Sequence, residues 1–300
     1  MDKETTTATL QDLAEPFSRH LVAHLRRHDK QGSAASSTFL DACRGFIQER
    51  ISQADLLVQT EKLGFVHVVD AFQVVNGARV MAPFYEVHKG QGRPQLVLTD
   101  HLLRLKESTQ FANFGPEADA RWQLVETAWN LQVNPRLLQV QHDEERGLFF
   151  VAHDAMRRVD VTSVREALNG YQKGKCFYSF QDIVVHAGAP ALCQVDHFLP
   201  HVHKAAHWPA DLNGVWNLVL ADASVNRHKS ARVPELRFLE RLHRRNEFLI
   251  ESKHPLSETI ANQTGPTPEK RRQFLRHHYQ VALNHALHRW APPVELPATF

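Results

Sequence analysis

Between Cys176 and Pro234 the chain carries an acid–imidazole pair, Asp196-His197, inside the apolar run Val195-Asp196-His197-Phe198-Leu199-Pro200. A second apolar run, Trp216-Asn217-Leu218-Val219-Leu220-Ala221, leads to Asn226-Arg227-His228-Lys229-Ser230. These residue types suit hydrolysis of a phosphodiester. That reaction needs an activated water, neutralisation of charge building on the phosphate, and stabilisation of the leaving 3′ oxygen. An imidazole with the ordinary pKa of about 6.5 is mostly neutral at pH 7 and can take the proton of the water. A divalent cation can serve the other two needs as a Lewis acid. A carboxylate and an amide carbonyl, both hard oxygen ligands, suit magnesium or manganese.

The elements around these residues must bring them together. Asp196 and His197 are adjacent, so on a strand their side chains face opposite sides. They can share one site only if the strand ends or bends there, and Pro200 favours an ending. A helix beginning after Ala221 would return Asn226 to the end of that strand.

Three blocks in this order resemble the HNH nuclease family, the ββα-metal fold. They are Val195 to Pro200, Asn217 to Ala221, and Asn226-Arg227-His228-Lys229-Ser230-Ala231-Arg232-Val233-Pro234, about sixty residues with their connections. The resemblance implies a role for each position. His197 matches the general base, Asp196 the first metal ligand and Asn226 the last. Asn217 matches the middle Asn, which braces the loop and helps to orient the base. Lys229 falls where members often present a basic side chain to DNA. With the excess of Lys and Arg over 226–245, this makes Arg227, Lys229, Arg232 and Arg241 the expected DNA contacts.

Many members staple this fold with zinc held by two Cys-x-x-Cys pairs. Here the first pair reads Cys176-Phe177-Tyr178-Ser179 and the second falls on Asp222 and Val225. Three of the four thiolates are missing, so no structural zinc is expected. A site built from Cys176, Cys193 and His186 is the minor alternative. Packing of Phe177, Tyr178, Phe198 and Trp216 is expected to take over the staple's work, as in the similarly zinc-free HNH domain of RNA-guided CRISPR nucleases. The segments Gly170 to Tyr178 and Leu239 to Glu247 also resemble bacterial HNH proteins with long N-terminal regions. Several of these serve anti-phage defence, and the nuclease component of type II Zorya is one candidate, so other components of a defence system join DNA as expected partners.

The implied activity is a metal-dependent DNA endonuclease, nicking because one site cuts one strand. The alternatives are a DNA-binding scaffold with a non-cutting HNH fold, or an RNase. Plain charge is consistent with a polyanion partner: residues 1–150 hold 16 Lys and Arg against 19 Asp and Glu, and residues 151–300 hold 19 against 14. No run of eighteen apolar residues occurs, so no membrane insertion is expected. Cys43, Cys176 and Cys193 give no disulfide framework and suit a reducing cytoplasm.

The fold class expected is α+β. Residues 1–165 form a helical and β-hairpin region that recognises a partner or positions DNA, and 166–300 an HNH core with a helical C-terminal region. Leu10, Leu13, Phe17, Leu21 and Leu25 mark one helix, and Thr38 opens a second bearing Cys43 on its apolar stripe. Asn76-Gly77 signals a hairpin between strands at 65–72 and 79–85. Lys89 to Pro94 reads as a turn, and Phe114-Gly115-Pro116 as a break before a helix with Trp122 and Trp129. A strand pair spans 138–152, and a helix 161–170. Leu236, Leu239, Leu242, Phe248 and Leu249 form a stripe behind the basic face. A last helix runs to about Trp290, its histidines (His277, His278, His285, His288) on a polar surface.

Overall fold

The computed structural model describes residues 6–32, 37–75, 77–88, 94–107, 111–131, 139–154, 157–185, 191–200, 210–284, 286 and 288–300, with the side chains of 152–154, 157–159 and 161 left aside. The chain divides into two compact units, Met1–Phe111 and Ala112–Phe300. It is α+β throughout, helices with several small sheets.

The first unit contains β1 (Thr7–Thr9), α1 (Leu10–Arg27), α2 (Thr38–Ile47) and α3 (Gln53–Gln59). Thr9 and Asp12 close a capping box at the start of α1, and Ser37, one residue before the expected Thr38, caps α2. Val22, Leu25, Phe39, Cys43 and Leu56 form its core. Burial pushes the Cys43 thiol up to about 11, so it is an inert core residue. The expected strand at 65–72 is instead a wide turn Thr60–Gly64 followed by the short helix α4 (Val68–Ala71). A Cβ at Gly64 would meet the rings of Phe17 and Phe39 at 3.1 Å, so a side chain there would crowd them. The hairpin itself is present but short: β2 (Val74–Val75) pairs with β3 (Ala78–Arg79), with Gly77 at φ 81°. Strands β4 (Tyr85–His88) and β5 (Gln95–Leu98) complete a sheet of order β1-β5-β4, and α5 (Asp100–Glu107) follows. Asn76 and most of the Lys89–Pro94 turn lie outside the described residues.

The second unit opens with α6 (Phe111–Asn130), which runs through Gly115 and Pro116 without a break. A meander of β6 (Gln141–Asp143), β7 (Leu148–Asp154) and β8 (Arg157–Ser163) leads into α7 (Val164–Gln172). The residues expected to start that helix, 161–163, end β8 instead. Next come β9 (Gln194–His197), β10 (Leu218–Ala221) and α8 (Ala223–Lys229). The C-terminal part comprises β11 (Val233–Pro234), α9 (Leu236–Glu251), α10 (Ser257–Thr264), α11 (Pro268–Asn284) and β12 (Arg289–Trp290). The last helix is described as far as Asn284, and Arg289 and Trp290 pair in parallel with Val233 and Pro234. One core runs from Leu124 and Phe149 through Phe177, Phe198 and Trp216 to Leu242, Ile260 and Leu275. Residues 112–165 therefore pack with the Asp196-His197 half of the chain, and the unit boundary falls well before residue 165. Among the described residues no helix is long and apolar enough to cross a membrane.

Candidate functional site

Strands β9 and β10 pair antiparallel, with His197 opposite Leu218 and Asp196 opposite Val219. β10 is buried at every position, so both of its faces are covered. The strand β9 ends at His197, as the approach of Pro200 implied. Helix α8 starts immediately after β10 because the Asp222 carboxylate accepts from the amides of Ser224 (2.8 Å) and Val225 (3.2 Å). The Ser224 hydroxyl also donates to this carboxylate, and that bond first, with the amide bonds after it, holds the Asp222 carboxyl below the usual carboxylate range.

Two periodicities then meet. Residues two apart share a strand face, and residues three apart share a helix face. Asn226 donates to Gln194 Oε1 at 2.8 Å, and Lys229 donates to Asp196 Oδ1 at 3.0 Å. The ladder fixes Asp196 towards α8. Its second oxygen accepts from the Tyr178 hydroxyl at 2.6 Å. Tyr178 is fully buried; burial and the neighbouring Asp196 carboxylate raise its hydroxyl well above the ordinary value. Burial likewise raises the Asp196 carboxyl, against the opposing pull of Lys229 and Tyr178.

His197 faces the other way. Its ring centroid lies 5.8 Å from that of His142, which stands opposite Phe149 in the β6–β7 register. His142 lines a cleft of about 480 Å³ that also takes in Asp143, Glu144, Glu145, Asp211 and Asn213. Nothing in the sequence pointed to His142, which lies 55 residues before His197 in another sheet.

Asn217 is fully buried and clamps the segment after β9. Its Oδ1 accepts from Leu199 N at 2.9 Å, and its Nδ2 donates to Leu199 O at 3.0 Å and Leu212 O at 2.8 Å. The four positions of the family's zinc staple have other partners: Cys176 Sγ accepts from Asp222 N at 3.4 Å, Ser179 bonds Gln181, Asp222 caps α8, and Val225 is in the core. The turn that carries Cys176 is bent by left-handed residues Lys173, Gly174 and Phe180, and Phe177 N ties it to Leu220 O at 2.9 Å. Gln172 adds a side-chain amide that pairs in both directions with Leu220 at 2.8 Å. Burial pushes the Cys193 thiol up to about 11. His186 lies outside the described residues.

The expected DNA contacts divide. Arg227 and Arg232 are exposed. Lys229 has no exposed surface and is ion-paired to Asp196, and Arg241 is 6% exposed. Arg241 donates to the carbonyls of Phe177 (2.5 Å) and Tyr178 and to Glu295 (2.7 Å), with Phe180 4.1 Å from its guanidinium. Neither side chain reaches a phosphate from there, so both are dropped as DNA contacts. Arg245 is also interior, donating to the carbonyls of Val215, Trp216 and Leu218. The apolar stripe of α9 is narrower than expected, since Leu236 and Phe248 are exposed. His278 is buried against Phe274 and Trp216 rather than on a polar surface, whereas His277 and His288 are exposed. His285 lies outside the described residues.

Magnesium or manganese at Asp196 and Asn226, which the resemblance implies, does not fit this arrangement. Both Asp196 oxygens have donors, and the Lys229 ammonium lies 3.0 Å away. A second cation beside Lys229 would meet like charge at close range in a low-dielectric interior. Compared with family models, curated proteins and solved structures, the chain matches none.

Proposed function

We propose that the chain hydrolyses DNA phosphodiester bonds as an HNH-like endonuclease, with His197 as the general base. The observation that carries this reading is the end of β9. His197 is the last strand residue, the Asn217 clamp fixes the segment after it, and a helix bearing Asn226 returns beside the same strand. His197 could take a proton from water, and exposed Arg227 and Arg232 on the following segment could hold backbone phosphates. No step is assigned to a cation.

The test is plasmid nicking with magnesium or manganese present, comparing wild type with His197→Ala. The expected result is open-circle product from the wild type and a loss of at least about a hundredfold in the variant, the usual worth of a general base. Equal rates would remove His197 from the chemistry. A second reading, a DNA-binding scaffold that does not cut, is favoured by the engagement of Asp196 with Lys229 and Tyr178. Retained DNA binding with no nicking under either ion would select it. An RNase would show instead as cleavage of RNA alone in a substrate panel.

A further inference from the structure

We infer that Lys229 is a positioning residue for His197, and that the Asp196–Lys229 pair is an internal strut rather than part of a cation site or a DNA contact. The inference rests on the reading of His197 as the base. Lysines are almost never fully buried unless paired, and Lys229 has no exposed surface. Its ammonium reaches two consecutive residues of β9. It donates to the Asp196 carboxylate at 3.0 Å and to the His197 carbonyl at 2.7 Å.

The second bond matters for the base. The peptide group joining His197 to Phe198 is held from both ends, because its carbonyl accepts from Lys229 while its N–H donates to Asn217 O at 2.8 Å. One residue on, Leu199 N is held by Asn217 Oδ1. A strand-terminal residue whose following peptide is fixed this way has its Cα–Cβ direction fixed as well. Misplacement of a catalytic group by about 1 Å can cost about a hundredfold in rate. Asp196 has the complementary task. It neutralises the ammonium so that Lys229 can be buried there, and Tyr178 OH holds the carboxylate in place at 2.6 Å.

The test uses the full chain and four proteins: wild type, Lys229→Met, Asp196→Asn and a core control, Leu124→Ala. All are assayed below their melting temperatures. The expected result for Lys229→Met is a fall of about tenfold or more in kcat with KM within about twofold, and a displaced His197 ring signal in ¹H–¹³C spectra. Leu124→Ala should leave the His197 signal where it is, because general destabilisation does not move it. Mn²⁺ affinity, read by electron paramagnetic resonance, should be the same in Asp196→Asn as in wild type. If either single variant does not fold, the double variant Asp196→Asn/Lys229→Met, a neutral pair of similar volume, takes its place in both the ring-signal and the Mn²⁺ measurements. The inference is overturned by an unmoved His197 signal, by Mn²⁺ binding that wild type shows and Asp196→Asn loses, or by a raised KM with a weaker salt dependence. A wild type that cuts no nucleic acid sinks the nuclease reading but leaves the spectroscopic and Mn²⁺ arms to decide the strut.

Discussion

Single side chains near the hairpin carry unusually heavy hydrogen-bonding duties, and their removal should show it. Asn217 satisfies one buried amide and two buried carbonyls. Asn217→Ala should cost about 3 kcal/mol, since each buried polar group left unsatisfied costs about 1–3 kcal/mol. Urea unfolding followed by tryptophan fluorescence would show a lower midpoint with an unchanged slope. Asn217→Asp should be worse, because it puts a carboxylate against the same two carbonyls. His254 gives a pH prediction. Burial lowers its imidazole from 6.5 to about 3, and its Nδ1 accepts from Leu256 N at 3.1 Å. The unfolded chain takes up this proton near 6.5 and the folded chain only near 3. Stability is therefore complete above the upper value and falls as pH drops through the window, by at most about 5 kcal/mol. His254→Asn, which keeps an acceptor and does not titrate, should flatten that acid limb in thermal melts from pH 7 to pH 4. The residue types at 196, 197, 217 and 226 were legible from spacing. The burial of Lys229 was not, although it lies three residues after Asn226 and shares its helix face. Reading basic residues as a surface run hid that.

Helix α8 shows how one cap governs an element. It is short, and Asp222 alone satisfies the amides of Ser224 and Val225 by side chain. Asp222→Ala should cost about 1 kcal/mol, the usual worth of such a cap. The Ser224 hydroxyl first, and then these amide bonds, depress the Asp222 carboxyl, so this contribution is present above its ordinary value of 3.8 and is lost as pH falls below it. A difference in melting temperature between wild type and Asp222→Ala that narrows towards pH 3 would bear this out. Helices with a clean 3.6-residue apolar repeat, such as α1 and α2, could be read directly. Segment 65–72 could not, because its β-branched residues favour a strand, whereas it forms a turn and the short helix α4. In α9 the positions of Phe238, Arg241 and Arg245 form one inward face, and only the carbonyls awaiting the two guanidiniums explain why arginine serves there. Those carbonyls belong to segments 177–178 and 215–218, which no local pattern links to α9.

At the scale of the molecule, the interior placement of three basic residues redraws the surface that DNA could meet. Arg237 is neutralised by Glu235 at 2.9 Å and by Glu295, and Arg276 is paired with Glu240 at 3.0 Å. Among the described residues Arg227 and Arg232 are exposed and in no ion pair, and they flank the end of α8. The tail contributes to this division of charge: Glu295 pairs with exposed Arg237 and with buried Arg241, Leu296 N donates to Ser179 O at 2.9 Å, and the Phe300 ring packs on Phe180 at 4.7 Å. Each phosphate neutralised releases condensed counterion and adds about 0.9 to the slope of log affinity against log salt. Arg227→Ala/Arg232→Ala should therefore weaken duplex binding and lower that slope by about 2, with little change in melting temperature. Arg241→Met should do the reverse: it leaves the slope alone and destabilises the fold, because it strips the carbonyls of Phe177 and Tyr178 and leaves Glu295 without one of its two arginine partners. Fluorescence anisotropy of a labelled duplex across a salt series separates the two. An unchanged slope in the double arginine variant would mean that this end of α8 is a solvated face, and DNA would have to be sought elsewhere on the surface.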